Sequence, residues 1–184
     1  MSAILGIVAS SKLKVSGAYE SIATITGTGS AGSITFSSIP STYKHLQVRV
    51  NARSTVVNTN TAVSVRVNGD TGTNYSAHSI EGSGSSVGTS RSGGTATANI
   101  FRIAGANASS DINGVGILDI IDYASTTKNK TLISISGYDN NGDGRILLYS
   151  AGWYNTSAIT SLEFYQSSGN FTTTSTFSLY GIKV

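Results

Sequence analysis

Apolar and polar residues alternate with a period of two along nearly the whole chain, and no ten-residue stretch carries an apolar stripe at helical spacing. Successive side chains of a strand point to opposite faces, so this pattern points to strands throughout and argues against a helical or alternating α/β chain. The clearest case is "HLQVRVNAR" (45–53), with Leu46, Val48 and Val50 on one parity, expected inward, and Gln47, Arg49 and Asn51 on the other. "AVSVRVNGD" (62–70) repeats it with Val63, Val65 and Val67 and closes on Asn68-Gly69, a hairpin-type turn. "ESIATIT" (20–26) reads as a strand of small residues covered on both sides, and "SITFSSI" (33–39) as a strand ended by the only proline, Pro40. Six more strands are expected at "NIFRIAG", "NGVGILDIIDY", "KTLISISGYD", "RILLYSAGWY", "ITSLEFYQSS" and "TFSLYGIKV". Residues 82–98, "GSGSSVGTSRSGGTATA", carry almost no apolar bulk and read as a long exposed loop.

About ten strands in one chain of 184 residues predict an all-β, antiparallel two-sheet sandwich. The jelly roll is the expected topology, because it packs eight or more antiparallel strands into two sheets. Composition agrees: 21 Gly, nine Tyr and abundant Ser and Thr suit strands and tight turns, and only 11% of residues are charged. Cysteine is absent, which removes disulfides and Cys-based metal or redox chemistry. The formal charge of +3 comes from scattered Lys and Arg with no basic run, so a nucleic-acid partner is not expected. No apolar stretch is long enough to suggest a membrane span.

The sandwich is assigned to residues 18–184 and a short extended arm to residues 1–17. In "MSAILGIVASSKLK" the lysines follow the apolar part, the wrong order for a secretory signal. Ile4, Leu5, Ile7 and Val8 form an apolar cluster separated from the first strand by "SSKLKVSG". They are the candidate partner-binding residues: either an anchor laid onto another protein or an extra strand of the same sandwich.

Three motifs invite a chemical reading, and each lacks its structural context. Asp139 to Gly144, "DNNGDG", opens like a calcium loop, yet the twelfth position, which needs a bidentate carboxylate, is Ser150, and the flanks are strand patterns. A hairpin tip built on Asx-turns and positive φ is expected there. "GTGSAG" (27–32) matches a dinucleotide fingerprint but runs into a strand instead of a helix. "GSSVG" (84–88) around Ser86 matches a nucleophile elbow, but polar low complexity flanks it. His45 and His78 are the only possible bases, and neither has an acidic neighbour in sequence. Asp119 and Asp122, three apart on a strand, point to opposite faces and cannot pair. Tyr149, Trp153 and Tyr154 could form a sugar-stacking platform, although aromatics in a sandwich more often serve the core. These residues predict no catalytic site, no metal and no cofactor.

Several phrases together carry a resemblance: "YESIATIT", "ITFSSIPSTYKHLQVRV", "VRVNGDTGTNYSAH", "LDIIDYASTTKNKT", "ISGYDNNG", "LYSAGWYNTSAITSLEF" and "FSLYGIKV". Across about residues 18 to 184 the chain resembles small structural proteins from the virion modules of tailed bacteriophages, notably marine and cyanobacterial ones, and of prophages. The resemblance implies a non-enzymatic virion component, expected as a head decoration or cement protein on the capsid surface. It also implies self-association, with a trimer expected, and contact with the major capsid protein or a neighbouring virion protein. The alternative is a tail or fibre module that binds host-surface glycans. An enzyme such as a depolymerase is disfavoured by the lack of paired carboxylates and the short chain. One face of "NGVGILDIIDY" supports the expectation of a partner: Val115 and Ile117 oppose Leu118 and Ile120, so both faces need cover.

Overall fold

The computed structural model describes residues 17–183. The arm residues Ile4, Leu5, Ile7 and Val8 lie outside the described residues. Twelve antiparallel strands and no helix make up the described chain. They are β1 (Tyr19–Thr26), β2 (Ser33–Phe36), β3 (His45–Ala52), β4 (Asn60–Val67), β5 (Tyr75–Gly82), β6 (Val87–Thr95), β7 (Ala98–Ala104), β8 (Gly114–Ile121), β9 (Lys130–Tyr138), β10 (Arg145–Trp153), β11 (Leu162–Tyr165) and β12 (Thr176–Ile182).

Eight of them form the sandwich proper, in the orders β1-β12-β3-β8 and β2-β11-β4-β7. Successive strands of this set alternate between the sheets except β4 and β7, which share the second, and the first and last pair with each other, which is jelly-roll topology. Two hairpins are inserted into this frame, β5–β6 between β4 and β7 and β9–β10 between β8 and β11. They pair with β8 and with one another, so the first sheet grows to eight strands, β1-β12-β3-β8-β9-β10-β5-β6. The second sheet stops at β7.

Parity builds the core. Leu46, Val48 and Val50 of β3 point inward with Leu118 and Ile120 of β8 and with Phe177 and Leu179 of β12. They meet Val63, Val65 and Val67 of β4, Phe101 of β7, and Leu162 and Phe164 of β11, all of them buried. Phe164 is the hub of an aromatic cluster, with Phe36, Phe101 and Phe177 at ring-centroid distances of 6.2, 6.3 and 5.6 Å. Of the residues expected outward on β3, Arg49 and Asn51 are exposed. Gln47 lies on the outer parity yet is buried, donating to Asp119 Oδ1 at 2.9 Å and accepting from Arg49 Nε at 3.0 Å.

Three expectations are corrected. Residues 82–98 are not a loop: Val87–Thr95 is β6, paired with β5 along its length. Gly and Ser can pair through the backbone without a core-facing side chain, so an edge strand needs none of the apolar alternation that would reveal it. Asn68-Gly69 has positive φ at both residues, 52° and 67°, as an Asn-Gly hairpin turn does, yet the strands on either side enter different sheets. Tyr75 explains this, because its hydroxyl accepts from Val67 N at 2.9 Å and pins the chain as it crosses over. Finally, β1 is an edge strand, half-exposed on alternate residues instead of covered on both sides.

Candidate functional site

The mismatch between an eight-stranded and a four-stranded sheet creates two surfaces with binding character. One is a polar cleft on the inner side of β10, β5 and β6, where no second sheet covers them. It has a volume of about 350 Å³, and Ser79, Glu81, Ser90, Asn99, Arg102 and Tyr149 line it. Glu81 pairs with Arg145. Ser79 Oγ and Ser90 Oγ bond at 2.7 Å, and Arg102 donates to Asn60 Oδ1 at 3.2 Å while its buried Nε has no hydrogen-bond partner among the described residues. Burial raises the Tyr149 phenol above its ordinary pKa, with the Arg102 charge opposing the shift. The cleft offers donors and acceptors for a polar ligand. A sugar ring needs an exposed aromatic face, and Tyr149 is only 5% exposed.

The other surface is the outer face of the extended sheet. β9 runs with Leu132, Ser134, Ser136 and Tyr138 buried and with Ile133 and Ile135 exposed. Isoleucine faces water and serine faces the interior, the reverse of ordinary strand patterning. Hydrogen bonding resolves the serines. The unpaired edge of β7 lies beneath β9, where Ser134 Oγ donates to Ile100 O and Arg102 N donates to Ser136 Oγ at 3.1 Å. Hydroxyls thus satisfy an edge that would otherwise bury bare backbone groups. Gly116 makes room for the same packing, because a Cβ there would lie 2.6 Å from the Phe101 ring.

The outward isoleucines have no such internal explanation. Val115 and Ile117 of β8, Ile133 and Ile135 of β9, Ile146 and Leu148 of β10 and Ile80 of β5 are 38% to 59% exposed and lie on one face. The strand registers place Ile117, Ile135, Leu148 and Ile80 side by side in one row across four strands. The next row reads Val115, Gly137, Ile146 and Gly82. Gly137 leaves a shallow apolar hollow there of about 580 Å³, flanked by Val115, Ile117 and Ile146. A contiguous exposed patch of this kind marks an interaction surface. The both-parity apolar pattern of β8 foretold its share of this face; the same signal in "LISIS" and "RILLYS" extends it to β9 and β10.

The structure disperses the other candidate residues. Asp139 to Gly144 forms the β9–β10 hairpin tip, with Asn141 and Gly142 at positive φ and Gly142 N donating to Asp139 Oδ1 at 3.2 Å. "GTGSAG" connects β1 to β2, strand to strand. Ser86 sits in the β5–β6 turn, 2.9 Å from Ser83 Oγ, while His45 opens β3 and His78 stands exposed on the outer face. His45 does gain an acidic neighbour in space: its Nδ1 accepts from Asp122 N at 3.0 Å and lies 3.8 Å from Asp122 Oδ1. That carboxylate is engaged by Lys128 and Lys44 at 2.8 and 2.9 Å, and those bonds, Lys128 first, hold its pKa down at about 2. It is a turn clamp. Asp119 lies on β8 and Asp122 in the turn after it, and they do not pair. Trp153 is buried with Nε1 donating to Asp70 Oδ2 at 2.7 Å, and Tyr154 is 61% exposed, so the three aromatics form no platform.

Compared with known protein families, with curated proteins and with solved structures, the chain matches none.

Proposed function

We propose that this chain is a non-enzymatic structural protein of a tailed-phage virion, an accessory protein that decorates the head and stabilises it by binding other particle proteins. The observation that carries the reading is the largely apolar outer face of β8, β9, β10 and β5. Seven half-exposed aliphatic side chains there suit a rigid protein that works by being held against a neighbour. The phrase-by-phrase resemblance to virion proteins supplies the setting. A cysteine-free jelly roll whose terminal strands, β1 and β12, pair with each other also suits a durable particle surface.

The second reading, a tail or fibre module that binds glycans, draws on the polar cleft beside Tyr149. Its buried aromatic ring makes it the weaker one. Quantitative mass spectrometry of purified particles tests both. A copy number comparable to that of the major shell protein is the expected result. A few copies per particle would favour the tail or fibre, and absence from particles would end the virion reading.

A further inference from the structure

We infer that the outer face of β8, β9, β10 and β5 is where two copies of this chain bind each other, sheet against sheet, about a two-fold axis running along the strands between β9 and β10. The inference does not rest on the virion reading. It follows from how residues are laid out on that face.

Such an axis keeps each residue at its height along the strands and exchanges left for right. It sets β9 over the partner's β10 and β8 over the partner's β5. Apolar residues then meet apolar residues along the central row, Ile135 against the partner's Leu148 and Ile117 against the partner's Ile80. In the next row the side chain of Ile146 stands over the partner's Gly137, filling the hollow that the glycine leaves. Each copy supplies one projection and one hollow, and the axis brings both pairs together at once.

Charge follows the same symmetry. In the third row Asp119, Ile133, Ser150 and His78 lie side by side, and Arg91 of β6 is the neighbour of His78. The axis sets Asp119 over the partner's His78 and Gln47 over the partner's Arg91. The Arg91 guanidinium therefore comes next to the Asp119 carboxylate. In the central row Arg49 of β3 faces the uncharged Thr89 of the partner. A face that is self-complementary in shape and in charge is what an isologous contact needs.

The area is sufficient. Strands lie about 4.8 Å apart and same-face residues about 6.8 Å apart along a strand, so each residue covers about 33 Å² of sheet. Three rows across the six strands from β3 to β6 cover about 600 Å² before side-chain relief is counted. Specific interfaces bury about 600–1,000 Å² per partner, so the flat area already reaches the lower end of that range.

The test is the molecular mass of the full chain by sedimentation equilibrium at micromolar concentration. Twice 18.9 kDa is expected. Ile135→Lys and, independently, Leu148→Lys place a charge at the centre of an exposed face without touching the core. Each should weaken association by about 30-fold or more with the circular dichroism unchanged. Asp119→Lys should weaken it too, and Asp119→Lys combined with Arg91→Glu should recover part of the loss. A monomer or a trimer for the unaltered chain would overturn the inference, as would a dimer indifferent to both lysine variants. A monomer that gains apolar dye binding only when residues 1–16 are removed would assign the face to the chain's own N-terminal segment. One that binds particles through this face would assign it to another virion protein.

Discussion

At the scale of single residues, the buried polar groups state what each position requires. Lys130 is 1% exposed and pairs with no acidic side chain among the described residues; its Nζ donates to Ser125 O and Lys128 O at 2.8 Å and to Thr156 O at 3.1 Å, gathering three loop carbonyls. Burial lowers its pKa, the electrostatic consequence of holding a cation on dipoles alone. Tyr75 is the sharper case. Its hydroxyl accepts from Val67 N, and burial pushes its pKa from 10.0 up to about 12. A phenol whose folded pKa lies above its unfolded value contributes stability that is complete below pH 10 and is lost as pH rises from 10 towards 12. Tyr75→Phe leaves Val67 N unpaired and should cost about 1–3 kcal/mol at neutral pH. It should also flatten the decline between pH 10 and 12. Urea midpoints across that pH range check both, and a variant as steep as the parent would show that Tyr75 does not govern the alkaline limb.

At the scale of elements, β9 determines which side of the sheet meets the core. Its serines are inward because β7 needs hydroxyl partners along its open edge, and its isoleucines are outward in consequence. Ser134→Ala removes the donor to Ile100 O and should destabilise the fold by about 1–3 kcal/mol. Ile133→Thr, one residue away on the outer face, should stay within about 0.5 kcal/mol in dilute protein. Denaturant unfolding of the two variants decides the matter, and the opposite ranking would mean that β9 packs in the other register. The same logic holds at the end of β3, where the Arg53 guanidinium donates to the carbonyls of Ser109, Ile112, Ala106 and Ala108 and gathers the loop before β8.

At the scale of the molecule, the jelly roll ties the first and last described strands together. β12 lies between β1 and β3, with Tyr180 opposite both Ser21 and Gln47, so the first sheet closes only when the last strand arrives. Removing β12 takes Phe177 and Leu179 from the core and leaves two new open edges. A chain ending at residue 170 should therefore show no cooperative thermal transition by circular dichroism. Retention of one would mean that the inserted hairpins and the second sheet fold without the closing strand. Pairing of sequence-distant strands should also make folding slow, as in other all-β sandwiches.

The sequence by itself determined the class of fold, because a two-residue period can be satisfied only by strands. It also determined that "DNNGDG" is a hairpin tip, because Asp, Asn and Gly at those offsets make their own local bonds. The inward set Leu46, Val48 and Val50 was legible for the same reason: apolar residues on one parity, polar on the other. Tertiary structure alone decided the rest. Nothing within "LISISGY" says that serine faces inward, since the reason is the bare edge of β7, some thirty residues earlier in the chain. Nothing in "GSGSSVGTSRSGGTATA" reveals β6, because its pairing uses the backbone, which every sequence shares. And the outer apolar face exists only because two inserted hairpins, far apart in sequence, line up their isoleucines on one sheet.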